Sequence, residues 1–147
     1  MYGGMCTSEY TQSLLNLSES ANKSEGVKLT TIFLGNESLI QRGRNTIAHH
    51  FMELPDATHL LFIDADIKFR VEDVVKMIQA DKSLIIGPVA LKGYEWEEIR
   101  QAAINGEDDI QRTGGVFNIN KLPGVDMVDE NEPFEIEHGG NAFMMIR

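Results

Sequence analysis

Apolar residues near the start of the chain fall first at helical spacing and then in a β-branched run. Tyr10, Leu14, Leu17 and Ala21 recur every three or four positions, which predicts an amphipathic helix. Residues 27–34 are rich in β-branched side chains and predict a strand. The chain is therefore expected to begin as a helix followed by a strand.

The following segments alternate between helical faces and short apolar runs. Two further helices are predicted by apolar positions at helical spacing: Leu39, Ile47, Phe51 and Leu54, then Val71, Val74, Val75 and Ile78. Two continuously apolar runs, Leu60–Ile63 and Leu84–Ile86, are typical of strands buried on both faces. Residues 96–104 predict a fourth helix, and short strands are predicted at residues 115–119, 133–136 and 142–146.

This order of elements predicts an α/β fold. Strands that alternate with helices predict a mostly parallel sheet with helices on both faces, and the strand-rich end predicts a mixed sheet edge. A chain of 147 residues buries one hydrophobic core, so residues 1–147 are read as a single domain.

Composition and charge limit the partners and the cellular compartment that are expected for this chain. A formal net charge of −10 argues against a nucleic-acid binder, because phosphate backbones require Lys and Arg. No apolar run is long enough for a transmembrane segment. The single cysteine, Cys6, cannot form an internal disulfide, which favours the cytoplasm. The oligomeric state is left open, a homo-oligomer included.

Two aspartates directly follow the first apolar run. Asp64 and Asp66 stand at its carboxyl end, where open α/β sheets bind ligands. Residues two apart in an extended chain point the same way, so both carboxylates can reach one hard cation. Mg²⁺ or Mn²⁺ takes oxygen ligands and commonly bridges to diphosphate oxygens.

Other interpretations of this pair are open. Asp64 can cap the next helix while Asp66 is only solvated, because helix caps favour Asp. Phosphatases of the haloacid dehalogenase type also place D-x-D after an apolar strand. They usually carry Thr or Val where this chain has Lys68, and their motif lies near the start of the chain, so both features count against a phosphatase.

Three smaller groups of residues indicate a functional site less strongly. Arg42 and Arg44 flank Gly43 early in the second helix, where arginine suits phosphate, although two arginines can also form a solvated face. The paired Gly139 and Gly140 favour a hairpin turn, and can also let a ligand approach the backbone. Tyr94 and Trp96 can stack on a sugar ring, but aromatic residues beside a helix start are more often core.

Four segments together resemble a family of GT-A glycosyltransferase-like proteins of phages, large algal viruses and bacteria. They read YGGM at residues 2–5, SLIQRGRN at 38–45, ATHLLFIDAD at 57–66 and EIEHGGNAFM at 135–144. The resemblance covers nearly the whole chain in order, and the third segment is the most specific. It implies the GT-A fold and metal-dependent transfer of a sugar from a nucleotide diphosphate to an acceptor.

The resemblance also implies roles for particular residues. Asp66 is the direct ligand of Mn²⁺ or Mg²⁺, and Asp64 contacts the metal or the ribose. The donor-binding positions it implies are Tyr2, Gly3, Arg42, Arg44, Asn45, Asp64, Gly139 and Gly140. The partners are then a nucleotide sugar and an unidentified acceptor, in the host cytoplasm if the chain is viral.

The pattern departs from the family at both ends. Relatives usually carry a strand before the Tyr2 loop and continue past the position of Arg147, where a catalytic base is expected. The chain is therefore expected to be incomplete, with no catalytic residue assigned. Three hypotheses remain: glycosyl transfer, non-catalytic binding of a nucleotide sugar, and, more weakly, phosphoryl hydrolysis with Asp64 as nucleophile.

Overall fold

The computed structural model describes residues 4–108, 110, 114–125 and 132–147. Its helices are α1 (Ser8–Lys23), α2 (Ile40–Met52), α3 (Val71–Gln79) and α4 (Trp96–Asn105). Its strands are β1 (Leu60–Ile63), β2 (Leu84–Ile86), β3 (Ala90–Tyr94), β4 (Gly115–Phe117), β5 (Ile119–Lys121), β6 (Ile136–Gly139) and β7 (Phe143–Ile146). These elements form two compact units, one from the chain up to Gly87 together with Asn141–Arg147, the other from Pro88–Gly140.

The first unit is built on a three-stranded sheet in the order β1-β7-β2. Strand β7 lies in the centre and runs antiparallel to both neighbours, so that Met144 pairs with Phe62 on one side and with Ile86 on the other. Strands β1 and β2 run in the same direction without being neighbours. The sheet thus contains no parallel pair.

The antiparallel pairing overturns the expected mostly parallel sheet of a GT-A fold. The prediction was wrong because strands joined through a helix were assumed to pair with each other, whereas the last strand of the chain inserts between them. The other two described sheets, β3-β4 and β5-β6, are also antiparallel pairs. Classification as a GT-A glycosyltransferase with a D-x-D metal site therefore has no support from the fold.

The predicted strand at residues 27–34 is also wrong. The segment forms no β-ladder within the described chain, and Val27, Leu29, Ile32 and Phe33 are all exposed. High β-propensity describes side chains that fit a half-buried pleated surface, and it does not supply the hydrogen-bonding neighbour that makes a strand. The prediction of burial on both faces of β1 and β2 is also wrong, since Phe62 is the only buried residue of these two strands and Leu84 is exposed.

The helices predicted from helical spacing form, although the predicted face positions Leu39, Val75 and Ile78 are exposed. Helix α1 buries one stripe of its surface, formed by Tyr10, Ser13, Leu17 and Ala21. Its N-cap is Thr7, whose hydroxyl accepts a hydrogen bond from the Tyr10 N–H at 3.1 Å. Helices α2, α3 and α4 also form close to their expected positions. Helical spacing is a local signal, and it therefore survives the error in sheet topology.

An aromatic cluster forms the core of the first unit. The Phe69 ring stacks on Phe143 of β7 with centroids 5.7 Å apart and meets the edge of Tyr10 at 6.4 Å. The Phe69 N–H donates to the buried Ser13 hydroxyl at 3.1 Å, so helix α1 is joined to the segment that follows β1. Val74 and Met77 of α3 are buried as well. These contacts hold the end of β1 in place.

The second unit combines helix α4 with the two strand pairs. Ala102 of α4 is its most buried apolar residue among those described, and α4 ends at Gly106, whose left-handed φ of 73° suits glycine. Strand β3 was not predicted from the sequence. Its residues include Ala90, Lys92 and Gly93, types that are depleted in strands, so composition hides it.

Gly87 is expected to tolerate no side chain. A Cβ built there would overlap the ring of Phe143, which is itself buried against Phe69. Gly87→Ala should therefore lower the free energy of unfolding by about 1–3 kcal/mol, the usual cost of overpacking, as measured by urea denaturation. Gly35→Ala is the matched control, because a Cβ at Gly35 meets open space. Equal stability of the two variants would contradict this packing.

Candidate functional site

An ion pair between helix α2 and the end of β1 forms the centre of the candidate site. The Arg44 guanidinium donates from Nη2 to Asp64 Oδ1 at 2.8 Å. Its carbon also lies 5.6 Å from the centroid of the Phe62 ring, within the range of a cation–π contact. The Arg44 side chain is only 16% exposed, while that of Asp64 is 49% exposed. Arg44 is thus fixed in place, and Asp64 still faces solvent.

Backbone hydrogen bonds hold the loop that carries the two aspartates. The Asp64 N–H donates to Ala142 O at 2.8 Å, and the Asp64 carbonyl accepts from Ile67 N at 3.1 Å. The Ala65 carbonyl accepts from Thr7 N at 3.0 Å, which ties the loop to the start of α1. The loop is therefore closed by its own turn and anchored to two other segments, at Ala142 and Thr7.

Asp64 does not cap the following helix. Helix α3 begins at Val71, and its N-cap residue is Arg70, whose N–H donates to the Asp73 carboxylate at 3.0 Å. The carboxylate at the start of this helix is therefore that of Asp73, which accepts the backbone N–H of the N-cap residue. The interpretation of Asp64 as a helix cap is wrong. Both aspartates are exposed at the mouth of a cleft instead.

The aspartates line a cleft of about 710 Å³ within the first unit. Its polar wall includes Asp64, Asp66, Arg44, Glu37 and Ser38. Its apolar wall is formed by Met5, Tyr10, Ile32, Phe33, Leu34, Ile40, Ile47, Phe62 and Ile63. The volume of this open cleft lies within the range of small-molecule sites, and its walls are polar and apolar in similar measure.

The two predicted arginines have different environments. Arg44 lies in the cleft, whereas Arg42 is 64% exposed and binds Glu37 through two hydrogen bonds of 2.7 and 2.8 Å. Arg42 and Asn45 line a separate shallow depression on α2. Residues two apart on a helix do not share a face, which explains this separation.

Gly43 allows the second helix to approach the cleft wall. It is buried, and a Cβ there would lie 3.0 Å from Leu34 Cδ2 and 3.2 Å from Glu37 Cγ. The close approach of Leu34 and Glu37 thus accounts for a glycine inside this helix. This contact brings the 32–34 segment against α2.

The structure does not bring the remaining predicted donor-binding residues together with Asp64. Tyr2 and Gly3 fall outside the described residues. Gly139 and Gly140 belong to the second unit, where the Gly140 N–H donates to Asn118 O at 2.7 Å. A Cβ at Gly140 would overlap the Asn118 side chain, so this glycine accommodates an internal contact. Their role toward a donor sugar stays a prediction.

The metal ligands that the cleft offers can be compared with those that a divalent cation needs. No group of three or more His, Cys, Asp or Glu side chains able to hold a metal occurs among the residues that the structure describes. Asp64 and Asp66 supply two carboxylates, which suits Mg²⁺, because that ion is usually bound by one or two carboxylates plus substrate phosphates and water. A cation held by Asp64 and Asp66 together with a phosphorylated ligand therefore stays a prediction.

Some residues of the cleft were missed by the sequence analysis. Residues 32–34, predicted as a strand, form part of the cleft wall, and Tyr10, predicted only as a helix residue, lines the cleft together with Thr7. Helical spacing marks Tyr10 as buried, and burial does raise the pKa of its hydroxyl. Nothing in the local pattern shows that its helix starts beside Asp66.

The preference for Tyr94 and Trp96 as core residues was wrong. Both side chains are exposed, and their ring centroids lie 5.6 Å apart. They belong to the second unit, at the junction of β3 and α4.

Comparisons with known proteins leave the family open. No protein-family model, no curated protein and no solved structure matches this chain. In the described part of the chain, no helix combines the length and apolar character needed to cross a membrane.

The Glu37 carboxylate should stabilise the folded chain at neutral pH and lose this effect in acid. Arg42, and then the Leu39 N–H, lower the pKa of Glu37 from 4.5 to about 2. Between these values the unfolded chain binds the proton and the folded chain does not, so this contribution is complete above pH 4.5 and is lost as pH falls through about 2. Glu37→Gln should flatten the dependence of the unfolding free energy on pH within that window.

Arg42→Gln should have the same effect, because it removes the main cause of the lowered Glu37 pKa. Lys82→Gln, which removes an exposed positive charge elsewhere, is the charge-matched control. The measurement is chemical denaturation at several pH values from 2 to 5. A wild-type slope in both Glu37→Gln and Arg42→Gln would refute the assignment.

Proposed function

We propose that the Asp64–Asp66 cleft binds a nucleotide diphosphate sugar together with Mn²⁺ or Mg²⁺, for transfer of the sugar to an acceptor. The observation that carries the proposal is the ion pair of the fixed Arg44 with Asp64, in a cleft of about 710 Å³ that Asp66 also lines. The proposal rests on this site and not on the sheet topology.

Charge explains why a cation is required. The cleft carries Asp64 and Asp66 against Arg44, the charge of Glu37 is offset by Arg42, and the chain as a whole has a net charge of −10. A diphosphate alone would be repelled by these carboxylates. A divalent cation between carboxylates and phosphates reverses the local field, and Arg44 offers planar donors suited to a phosphate.

The apolar wall suits the base and ribose of a nucleotide. Phe33 is exposed on this wall, where its ring can stack on a planar base. Met5, Ile32 and Ile40 provide further apolar surface beside it. The cleft thus combines a stacking surface with a charged end, which matches a ligand that has one apolar and one anionic part.

Glycosyl transfer is favoured over phosphoryl hydrolysis. A bound cation would stabilise the negative charge that develops on the departing diphosphate. Asp64, Asp66 and Arg44 would orient the phosphates, whereas hydrolysis through Asp64 would require its carboxylate as a nucleophile. Arg44 already engages Asp64 Oδ1 at 2.8 Å, which supports a binding role for this side chain.

Non-catalytic binding of the nucleotide sugar is the alternative within the same site. The enzyme and the non-catalytic protein would bind the same nucleotide sugar, but only the enzyme would transfer the sugar. Turnover of the nucleotide sugar in the presence of an acceptor therefore separates the two.

We infer that the protein works in a reducing compartment such as the cytoplasm, because its single cysteine, Cys6, is free and exposed.

Asp66→Ala should abolish cation-dependent binding of the donor nucleotide. Isothermal calorimetry with UDP and GDP, each with and without Mn²⁺, should show binding by the wild type only when Mn²⁺ is present. Loss of one of two carboxylate ligands should weaken this binding by at least about 10-fold, the lower end of the effect of removing a supporting group at a metal site.

Asp56→Asn is the matched control, because Asp56 is an exposed aspartate outside the cleft lining. It should bind as the wild type does. Unchanged affinity of Asp66→Ala would remove the metal assignment, and cation-independent binding by the wild type would leave only a nucleotide site.

Arg44→Lys tests whether the planar guanidinium matters. Lysine keeps the positive charge but lacks the forked donors and the stacking on Phe62. We expect weaker nucleotide binding at unchanged Mn²⁺ dependence, measured by the same calorimetry. Wild-type affinity in Arg44→Lys would show that Arg44 acts only through its charge.

A further inference from the structure

Tyr94 and Trp96 form an exposed aromatic pair in the second unit. Tyr94 ends β3 and Trp96 begins α4. Their ring centroids lie 5.6 Å apart with an angle of 49° between the ring planes. The residues are 63% and 72% exposed, which is high for two of the largest apolar side chains. Trp96 is the only tryptophan of the chain.

The backbone holds this pair on a defined support. Between the two aromatic residues, the Glu95 N–H donates to Gly114 O at 3.2 Å, and the Glu95 carbonyl accepts from Ile99 N at 3.0 Å. Gly114 is packed so closely that a Cβ there would overlap the Ile99 side chain. The junction of strand and helix is therefore anchored, so the rings project from regular structure.

The surroundings of the pair are acidic. Glu95, Glu97 and Glu98 occupy the junction and the first turn of α4. Arg100 is engaged by Glu97, with Nε to Oε2 at 3.1 Å. The Glu95 side chain makes no capping hydrogen bond to the helix. A carboxylate accepts hydrogen bonds, so this surface favours hydroxyl donors and disfavours phosphates.

We propose that Tyr94 and Trp96 form a binding surface for a neutral pyranose oligosaccharide. The C–H bonds on one face of a pyranose carry partial positive charge and pack against the negative face of an aromatic ring. Two rings at an angle can contact neighbouring sugar units, while Glu95 accepts hydrogen bonds from their hydroxyl groups. This surface uses no residue that lines the Asp64–Asp66 cleft, and it needs no metal.

The single tryptophan gives a direct measurement. The intact chain is titrated, in a chelating buffer, with cellohexaose, maltohexaose and chitohexaose, and Trp96 fluorescence is recorded. At least one sugar should produce a saturable change. Tyr94→Ala should weaken that binding about 10-fold, equal to about 1.4 kcal/mol, while Tyr94→Phe should stay within about 2-fold because it keeps the ring.

Calorimetry extends the test to Trp96→Ala, which should also bind at least about 10-fold more weakly. Ile104→Ala is the matched control, since it removes another exposed apolar side chain of α4 without removing a ring. Circular dichroism checks that each variant is folded. Because the chelating buffer excludes the cation, the result is separate from that of the nucleotide experiment.

Three results would overturn the proposal. One is the absence of binding by all three hexasaccharides to the folded wild type. Another is wild-type affinity in both Tyr94→Ala and Trp96→Ala. The third is a response to tetramethylammonium chloride in place of the sugars, which would assign the acidic aromatic pair to a cationic ligand.

Discussion

The packing of Phe143 in the central strand is the constraint on which the first unit depends. Its ring lies between the Phe69 ring and the backbone of Gly87, and β7 pairs on both sides from that position. Ala142, next to it, accepts the hydrogen bond of the Asp64 N–H. The strand that completes the sheet therefore also sets the position of the aspartates. Ser13 continues this connection through its hydrogen bond with the Phe69 N–H.

Helices could be predicted from the sequence, but sheet topology could not. The buried stripe of α1 follows from residues three or four apart, which is a relation within one segment. The place of β7 is a relation between residues 60–63 and 143–146, and no local pattern records it. The same reason explains the error at residues 27–34. Their propensity is suited to a strand, yet a strand also needs a neighbour whose backbone accepts its hydrogen bonds.

The candidate site, too, could be predicted from the sequence only in part. The position of Asp64 and Asp66 at the end of β1 was predicted, because an apolar run followed by aspartates is visible in sequence. The different fates of Arg42 and Arg44 could have been inferred from helix geometry, since residues two apart diverge. The cleft wall at residues 32–34 could not, because it depends on the close approach that Gly43 permits.

The Arg44–Asp64 pair has a consequence for how the cleft would receive its ligands. Asp64 is half exposed, but one of its oxygens already accepts a hydrogen bond from Arg44. A cation that uses this carboxylate fully must compete with the guanidinium, while an arriving phosphate offers the guanidinium a new partner. Under the proposed function, a bound phosphate would draw the Arg44 guanidinium away from Asp64 and free that carboxylate for the cation. The cation would in turn offset the repulsion between the phosphate and the carboxylates, so each ligand favours the binding of the other. A fixed arginine that is already paired with Asp64 is therefore suited to bind the two ligands together more tightly than either one alone.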